Sequence, residues 1–340
     1  MSSLWHIAGA DVGQNAAAAI PLDRALTAKD LGVIVNEADP LSIAIGDYYR
    51  RKRDIPEANI VRVRFDATHT TLSAAQFAAL RADIGARTAH NIQAYALTWV
   101  RPYRVECMSI TTALAAGFDT AYCSERCTST RWSPYYNSNS YRPYDDFGLR
   151  PAMSIAALDL PHARELIDRG VASDHSRAQG TAYLVATNDT RRNVRAAGYA
   201  DARLSAGTFP VEIVTAPALE SRQDVMFYFI GAVDVTDLAT NKFLPGAVAD
   251  HLTSFGGDLL GNSQMSSLRW LEAGATGSYG TVTEPCNITA KFPSPGLVMK
   301  RYLAGETLIE AYWKSVAMPG QGIFIGEPLA RPYGSNAVPR

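Results

Sequence analysis

Apolar positions come in short bursts along this chain, and the bursts alternate between two periods. From Leu31, LGVIVNEAD is an apolar run that ends in polar residues, the pattern of a buried strand. Pro40 and Ser42 open a helical segment, SIAIGDYYRRKRD, with Ile43, Ile45, Tyr48 and Tyr49 as its expected buried face, and Ile55-Pro56 stops it. NIVRVRF reads as the next strand, Ser73 caps a second helix (AAQFAALRADIGARTA), and IQAYALTW is a third strand. This alternation predicts an α/β protein, a mostly parallel sheet with right-handed crossovers and flanking helices.

Residues 107–150 break the rhythm. The stretch SERCTSTRWSPYYNSNSYRPYDDF has no period, and its four Tyr and one Trp predict an ordered excursion rather than a linker. Regularity returns with the strand PAMSIAALD and the helix LPHARELIDRGVAS, whose expected inner face is Ala163, Leu166, Ile167 and Val171. TAYLVATND, VEIVTA and DVMFYFIGAVD read as strands, with a helical stretch near 190–203. VADHLTSFGGD leads to the helix QMSSLRWLEAG and the strand ATGSYGTVTE; one long helix, GLVMKRYLAGETLIEAYWKSV, precedes the closing strand GIFIGEPL. The expected organisation is a loosely ordered leader (1–30), two α/β subdomains (31–150 and 151–333) and a polar tail (334–340).

Composition mainly narrows the choices. With 340 residues, 47% hydrophobic and 19% charged, the chain can build a sizeable core. Lys+Arg 32 against Asp+Glu 33 leaves a net charge of -1, which argues against a general grip on nucleic acid or an anionic membrane. No stretch approaches the ~20 apolar residues of a membrane span. No Lys or Arg precedes Arg24, so the leader as written lacks the positive start of an export signal. The other reading is an exported protein whose start lies upstream or was trimmed. No motif calls for a cofactor.

In an open parallel sheet, ligands bind beyond the carboxyl ends of the strands. That rule nominates Asn36, Glu37 and Asp39, then Trp99 with Arg101 and Arg104, in the first half. In the second half it nominates Asp234, the segment from His251 to Asp258, and Glu284. Trp132, in the irregular stretch, is of a type favoured at binding hot spots. Each of these residues is equally suited to be a helix cap, a salt bridge or a plain loop end. The segment HLTSFGGDLLG stands out, because Ser254, Phe255 and two glycines could turn backbone N–H groups toward a ligand oxygen. It is neither a GxSxG elbow nor a P-loop. His251, Ser254, Asp258 and Glu284 form the pool for a hydrolytic site, with Ser254 or Cys286 as nucleophile and His251 as base. A lone histidine at a strand end is also a common hydrogen-bonded structural residue.

The four cysteines, Cys107, Cys123, Cys127 and Cys286, leave three readings open: two disulfides of an oxidising compartment, free thiols, or a metal site with an unusual C-x₃-C pair.

The strings VNEADPLSIAIGDYYRRKRDIPEANIVRV, FGGDLLGNSQMSSLRWLEAGATGSYGTVTEPCN and GIFIGEPLARPY resemble a bacterial family of hypothetical proteins, over roughly residues 31–333. More distantly, YALTWVRPYRV, MSIAALDLPHARELIDRGVASD, SLRWLEAGATGSYG and GEPL resemble the gingipain-type cysteine peptidases, which implies a caspase-like fold in two subdomains. Where those enzymes carry Gly-His this chain has Gly231-Ala232, and His251 or Ser254 stands where their catalytic Cys should be. Cys286 lies one strand too far along. The resemblance therefore implies the fold without the His-Cys dyad: a pseudo-peptidase that binds a protein, peptide or glycan. The alternative is a hydrolase with a non-standard Ser/His/acid site.

Overall fold

A computed structural model describes residues 24–124, 127–261 and 264–335, so the expected leader and tail lie almost wholly outside the described residues. The first elements are β1 (Leu31–Asn36), α1 (Pro40–Lys52), β2 (Ile60–Val63), β3 (Thr71–Leu72), α2 (Ala74–Arg87) and β4 (Ala94–Leu97). Next come β5 (Arg104–Val105), β6 (Met108–Ser109), α3 (Ile110–Ala116), α4 (Pro143–Phe147) and β7 (Ala152–Ser154). They are followed by α5 (Leu160–Ser173), β8 (Thr181–Ala186), α6 (Tyr199–Ser205), β9 (Val211–Thr215), β10 (Val225–Gly231) and β11 (Phe243–Leu252). The chain then forms α7 (Leu268–Glu272), β12 (Gly277–Thr281), α8 (Pro295–Leu303), α9 (Leu308–Trp313) and β13 (Gly322–Gly326).

Ten strands form one sheet in the order β2-β1-β4-β7-β13-β12-β11-β10-β8-β9, and β3, β5 and β6 make a small second sheet. The pairs on either side of the centre are parallel, whereas β12 and β13 run antiparallel. The expected division near residue 150 falls just before β7, which runs in register with β4 and touches β13 through Ser154 and Ile325. Every residue of β1 and β10 is buried, which is why those strands read as continuous apolar runs.

Helix starts follow local chemistry. The Asp39 carboxylate accepts from Leu41 N at 2.9 Å with Pro40 in the first turn of α1, and Ser73 and Gln76 form a reciprocal capping box at α2. The inner face of α1 is Ser42, Ile45, Gly46 and Tyr49, while Ile43 and Tyr48 are only half-buried. Close packing explains that rotation: a Cβ on Gly46 would sit 2.5 Å from Val35 Cγ2, so the glycine lets α1 lie directly on β1. On α5 the inner face is Ala163, Leu166, Ile167, Gly170 and Ser173, with Val171 half-buried.

Two expectations are corrected. The irregular stretch holds a helix, α3, whose first six residues are all buried, and a segment covered on all sides shows no amphipathic period. The long helix after residue 295 is two helices, α8 and α9. Gly305 adopts φ +89 between them, and Thr307 and Glu310 form the capping box that starts α9.

Loops from the two halves meet beyond the strand ends. Tyr103 Oη, after β4, donates to Asp258 Oδ1 at 2.5 Å, and Thr283 Oγ1, after β12, donates to Cys107 O at 2.9 Å. Among the described residues, no helix is long and apolar enough to cross a membrane.

Candidate functional site

Beyond β8, β11 and β12 lies an open pocket of about 520 Å³, walled by Arg191, Arg192, Thr253, Ser254, Gln264 and Glu284, with Cys127 and Cys286 at one side. Its position follows from the order of strands, because these three elements deliver their following turns to the same rim.

His251 does not open into this pocket. It is 1% exposed, and its neighbour Asp250 takes the opposite face of β11, as alternation along a strand requires. Trp270 Nε1 can only donate, and it stands 2.9 Å from His251 Nδ1. Nδ1 is therefore an acceptor, and the ring proton sits on Nε2, which donates to Met265 O at 3.0 Å. Burial lowers the imidazole pKa from 6.5 to about 4. Neutral, enclosed and bonded at both nitrogens, the ring ties β11 to the segment leading into α7.

The expected oxyanion cradle is likewise occupied by the fold. Phe255 N donates to Gln264 Oε1 at 2.8 Å, Gly257 N to Thr281 O at 2.9 Å and Asp258 N to Phe255 O at 3.0 Å. The paired glycines serve a close backbone crossing. A Cβ on Gly257 would lie 2.7 Å from Thr281 C, and one on Gly280 2.3 Å from Gly256 C. Ser254 lines the pocket, but Asp258 is turned to Tyr103. Glu284 is exposed at the rim, where Oε1 accepts from Cys286 N at 2.7 Å. The pool of His251, Ser254, Asp258 and Glu284 is thus dispersed: Ser254 and Glu284 share the pocket, and the other two are structural.

The first-half candidates are elsewhere. Asn36 is buried, donating to Phe65 O at 3.0 Å and accepting from Ala38 N at 3.0 Å and Phe65 N at 3.2 Å, so it ties a turn together. Glu37 and Arg101 are exposed, Trp99 is buried, and Arg104 Nε donates to Thr71 Oγ1 at 3.0 Å. Asp234 lies in an adjoining depression of about 600 Å³ with Asp189 and Thr187. Trp132, 56% exposed, stands perpendicular to Tyr136 in a different groove, beside the start of α8. The cysteines pair as Cys107–Cys123 and Cys127–Cys286, with Cα separations of 5.5 and 5.4 Å. Engaged with one another, they are neither free thiols nor the ligand set of a metal site. The two pairs hint at an oxidising, extracytoplasmic setting.

Arg191, Arg192, Gln264 and Asn287 of the pocket were not singled out from the sequence. The missed signal is the string NDTRR directly after β8, because an Asp following a strand readily caps the next turn. Asp189 Oδ1 accepts from the backbone N–H of Arg191 and of Arg192, both at 3.2 Å, and Arg192 Nη1 returns to Asp189 Oδ2 at 2.9 Å. Burial works to raise the Asp189 pKa, but the bonds and charge of Arg192 outweigh it and lower the value. Arg192 Nε also donates to Thr253 Oγ1 at 3.1 Å, and Thr253 Oγ1 donates to Gln264 Oε1 at 2.8 Å. This chain of bonds holds Arg192 against the wall, whereas the exposed Arg191 has no carboxylate partner among the described residues.

Behind the pocket, Arg195 pairs with Asp250 at 2.6 Å, and both side chains are nearly inaccessible. Burial raises the Asp250 pKa against the opposing pull of Arg195.

No family model and no curated protein matches the chain. A solved structure described as "Structure of Protease" is similar in overall outline, with a TM-score of 0.46 and 10% identity over 92% of this chain and 80% of that one.

Proposed function

We propose that the protein is a non-catalytic binding protein on a caspase-like frame, and that its carboxyl-edge pocket receives a peptide segment with Arg191 as charge anchor. The observation that carries this reading is the state of His251. An imidazole bonded at both nitrogens, with its pKa lowered to about 4, has no lone pair free to take a proton from a nucleophile near neutral pH. The cysteines support the same reading, since a thiol in a disulfide is not a nucleophile. Arg191 and Arg192 offer guanidinium donors of the kind that grip carboxylates in two-point contacts.

The test combines serine- and cysteine-directed activity probes with a peptide array. The expected result is no covalent labelling, together with capture of acidic peptides that falls at least roughly tenfold in Arg191→Ala, the loss of one charge-assisted contact. Turnover of any peptide, abolished by Ser254→Ala, would establish the hydrolase instead.

A further inference from the structure

A groove of about 680 Å³ that shares no lining residue with the carboxyl-edge pocket lies between α2, α3 and α4 over Tyr95 of β4. Most of its lining side chains are apolar: Ala78 and Ala82 are exposed, Phe118 is half-buried, and Phe77, Ile84 and Leu114 lie beneath as a covered floor; no acidic residue lines it. Two cations do. Arg150 stacks on Tyr144, its Cζ 3.2 Å from the ring centroid, anchors Nε on Ile92 O at 2.8 Å, and reaches toward Tyr95 of the groove floor. Arg81 packs flat against Gly117, where a Cβ would come within 3.2 Å of the guanidinium carbon. Gly117 has φ +88, so the backbone shape and the missing side chain both favour glycine there.

The acids on the same elements are committed elsewhere. Asp83 pairs with Arg87 at 2.7 Å, Asp145 accepts from Arg142 at 2.5 Å and from Gln93 at 3.1 Å, and Asp146 accepts from Ser140 at 2.5 Å. Glu106 caps the backbone of Ala74 at 3.1 Å. The two arginines thus share a groove whose lining holds no acidic residue. A concave apolar site with a few convergent polar groups has the form of a small-molecule pocket.

We infer that this groove binds an amphipathic carboxylate, its headgroup held by Arg81 and Arg150 and its apolar body lying along Ala78, Ala82 and Phe118. Charge complementarity selects an anion, and the lining selects one with a hydrocarbon body over a small inorganic ion. The site is independent of the peptide pocket.

Calorimetric titration with decanoate, decanol and inorganic phosphate tests it. Decanoate is expected to bind, decanol and phosphate at least roughly tenfold more weakly, since each lacks one half of the recognition. Arg81→Ala, at an exposed position, should weaken decanoate at least roughly tenfold, while Arg81→Lys should lose less and Arg191→Ala nothing. Arg150→Lys, checked for an unchanged melting temperature, should likewise weaken decanoate, by less than Arg81→Ala. Absent decanoate binding, equal binding of decanol, or a loss seen in Arg191→Ala and not in Arg81→Ala would each overturn the assignment.

Discussion

Trp270 Nε1 stands 2.9 Å from Nδ1 of His251 and donates a hydrogen bond to it, while Nε2 of the same ring reaches Met265 O at 3.0 Å. A buried histidine fixed in this way stabilises the fold only while it is neutral. Its folded pKa of about 4 lies below the ordinary 6.5, so the unfolded chain binds more protons between those values. Stability is therefore fully present above about pH 6.5 and declines as pH falls toward about 4, by roughly 3 kcal/mol from this group. Urea denaturation at several pH values should show this decline in the wild type and a flatter profile in His251→Gln. Trp270→Phe should leave Nδ1 without a donor at a cost of ~1–3 kcal/mol.

The turn that follows β11 depends on two backbones crossing at contact distance. Gly280→Ala would place a Cβ 2.3 Å from Gly256 C, and backbone cannot swing aside as a side chain can. The expected loss is ~1–3 kcal/mol or more, measured by chemical denaturation. Peptide capture at the carboxyl edge should fall as well, because residues 253 and 254 of the displaced turn line the pocket.

How much of this could be read from the chain differs between fold and site. Strands such as LGVIVN and the Ser73 cap were legible because burial on both faces and capping are local properties. The break at Gly305 was also written in the sequence, as a glycine two residues before a Thr-x-x-Glu box, but the apolar run across it masked the signal. His251 illustrates why site residues were harder. Its role depends on which face of β11 it takes and on Trp270, 19 positions later, and spacing fixes neither. Arg191 and Arg192 carry no motif of their own; what positions Arg192 is its bonds to Asp189 and to Thr253, 61 positions away.

Glu327, just after β13, gathers both halves of the sheet at the edge opposite the pocket. It accepts from Tyr49 Oη at 2.6 Å and from Arg53 Nε at 3.0 Å, and Arg53 also pairs with Asp174. The carboxylate is inaccessible and the Arg53 side chain 8% exposed. Glu327→Ala leaves Arg53 with Asp174 alone and the Tyr49 hydroxyl without its acceptor, so it should cost ~1–3 kcal/mol in denaturant titrations. Gly170→Ala should also destabilise, since its Cβ would lie 2.6 Å from Glu327 Cγ.

The disulfide between Cys127 and Cys286 closes a sequence separation of 159 residues and joins the irregular stretch to the turn after β12. In the chain-entropy account a closure of that length removes roughly 4–5 kcal/mol of freedom from the unfolded chain, whereas the 16-residue separation of Cys107–Cys123 removes roughly 3 kcal/mol. Reduction should therefore lower the melting temperature, and Cys127→Ser with Cys286→Ser should lower it more than Cys107→Ser with Cys123→Ser. Cys127 and Cys286 both line the carboxyl-edge pocket, so removal of the longer bridge should also weaken peptide capture, while decanoate binding at Arg81 and Arg150 persists. Thiol labelling before and after reduction, read by intact mass, checks the pairing: no sites are expected before reduction and four after it.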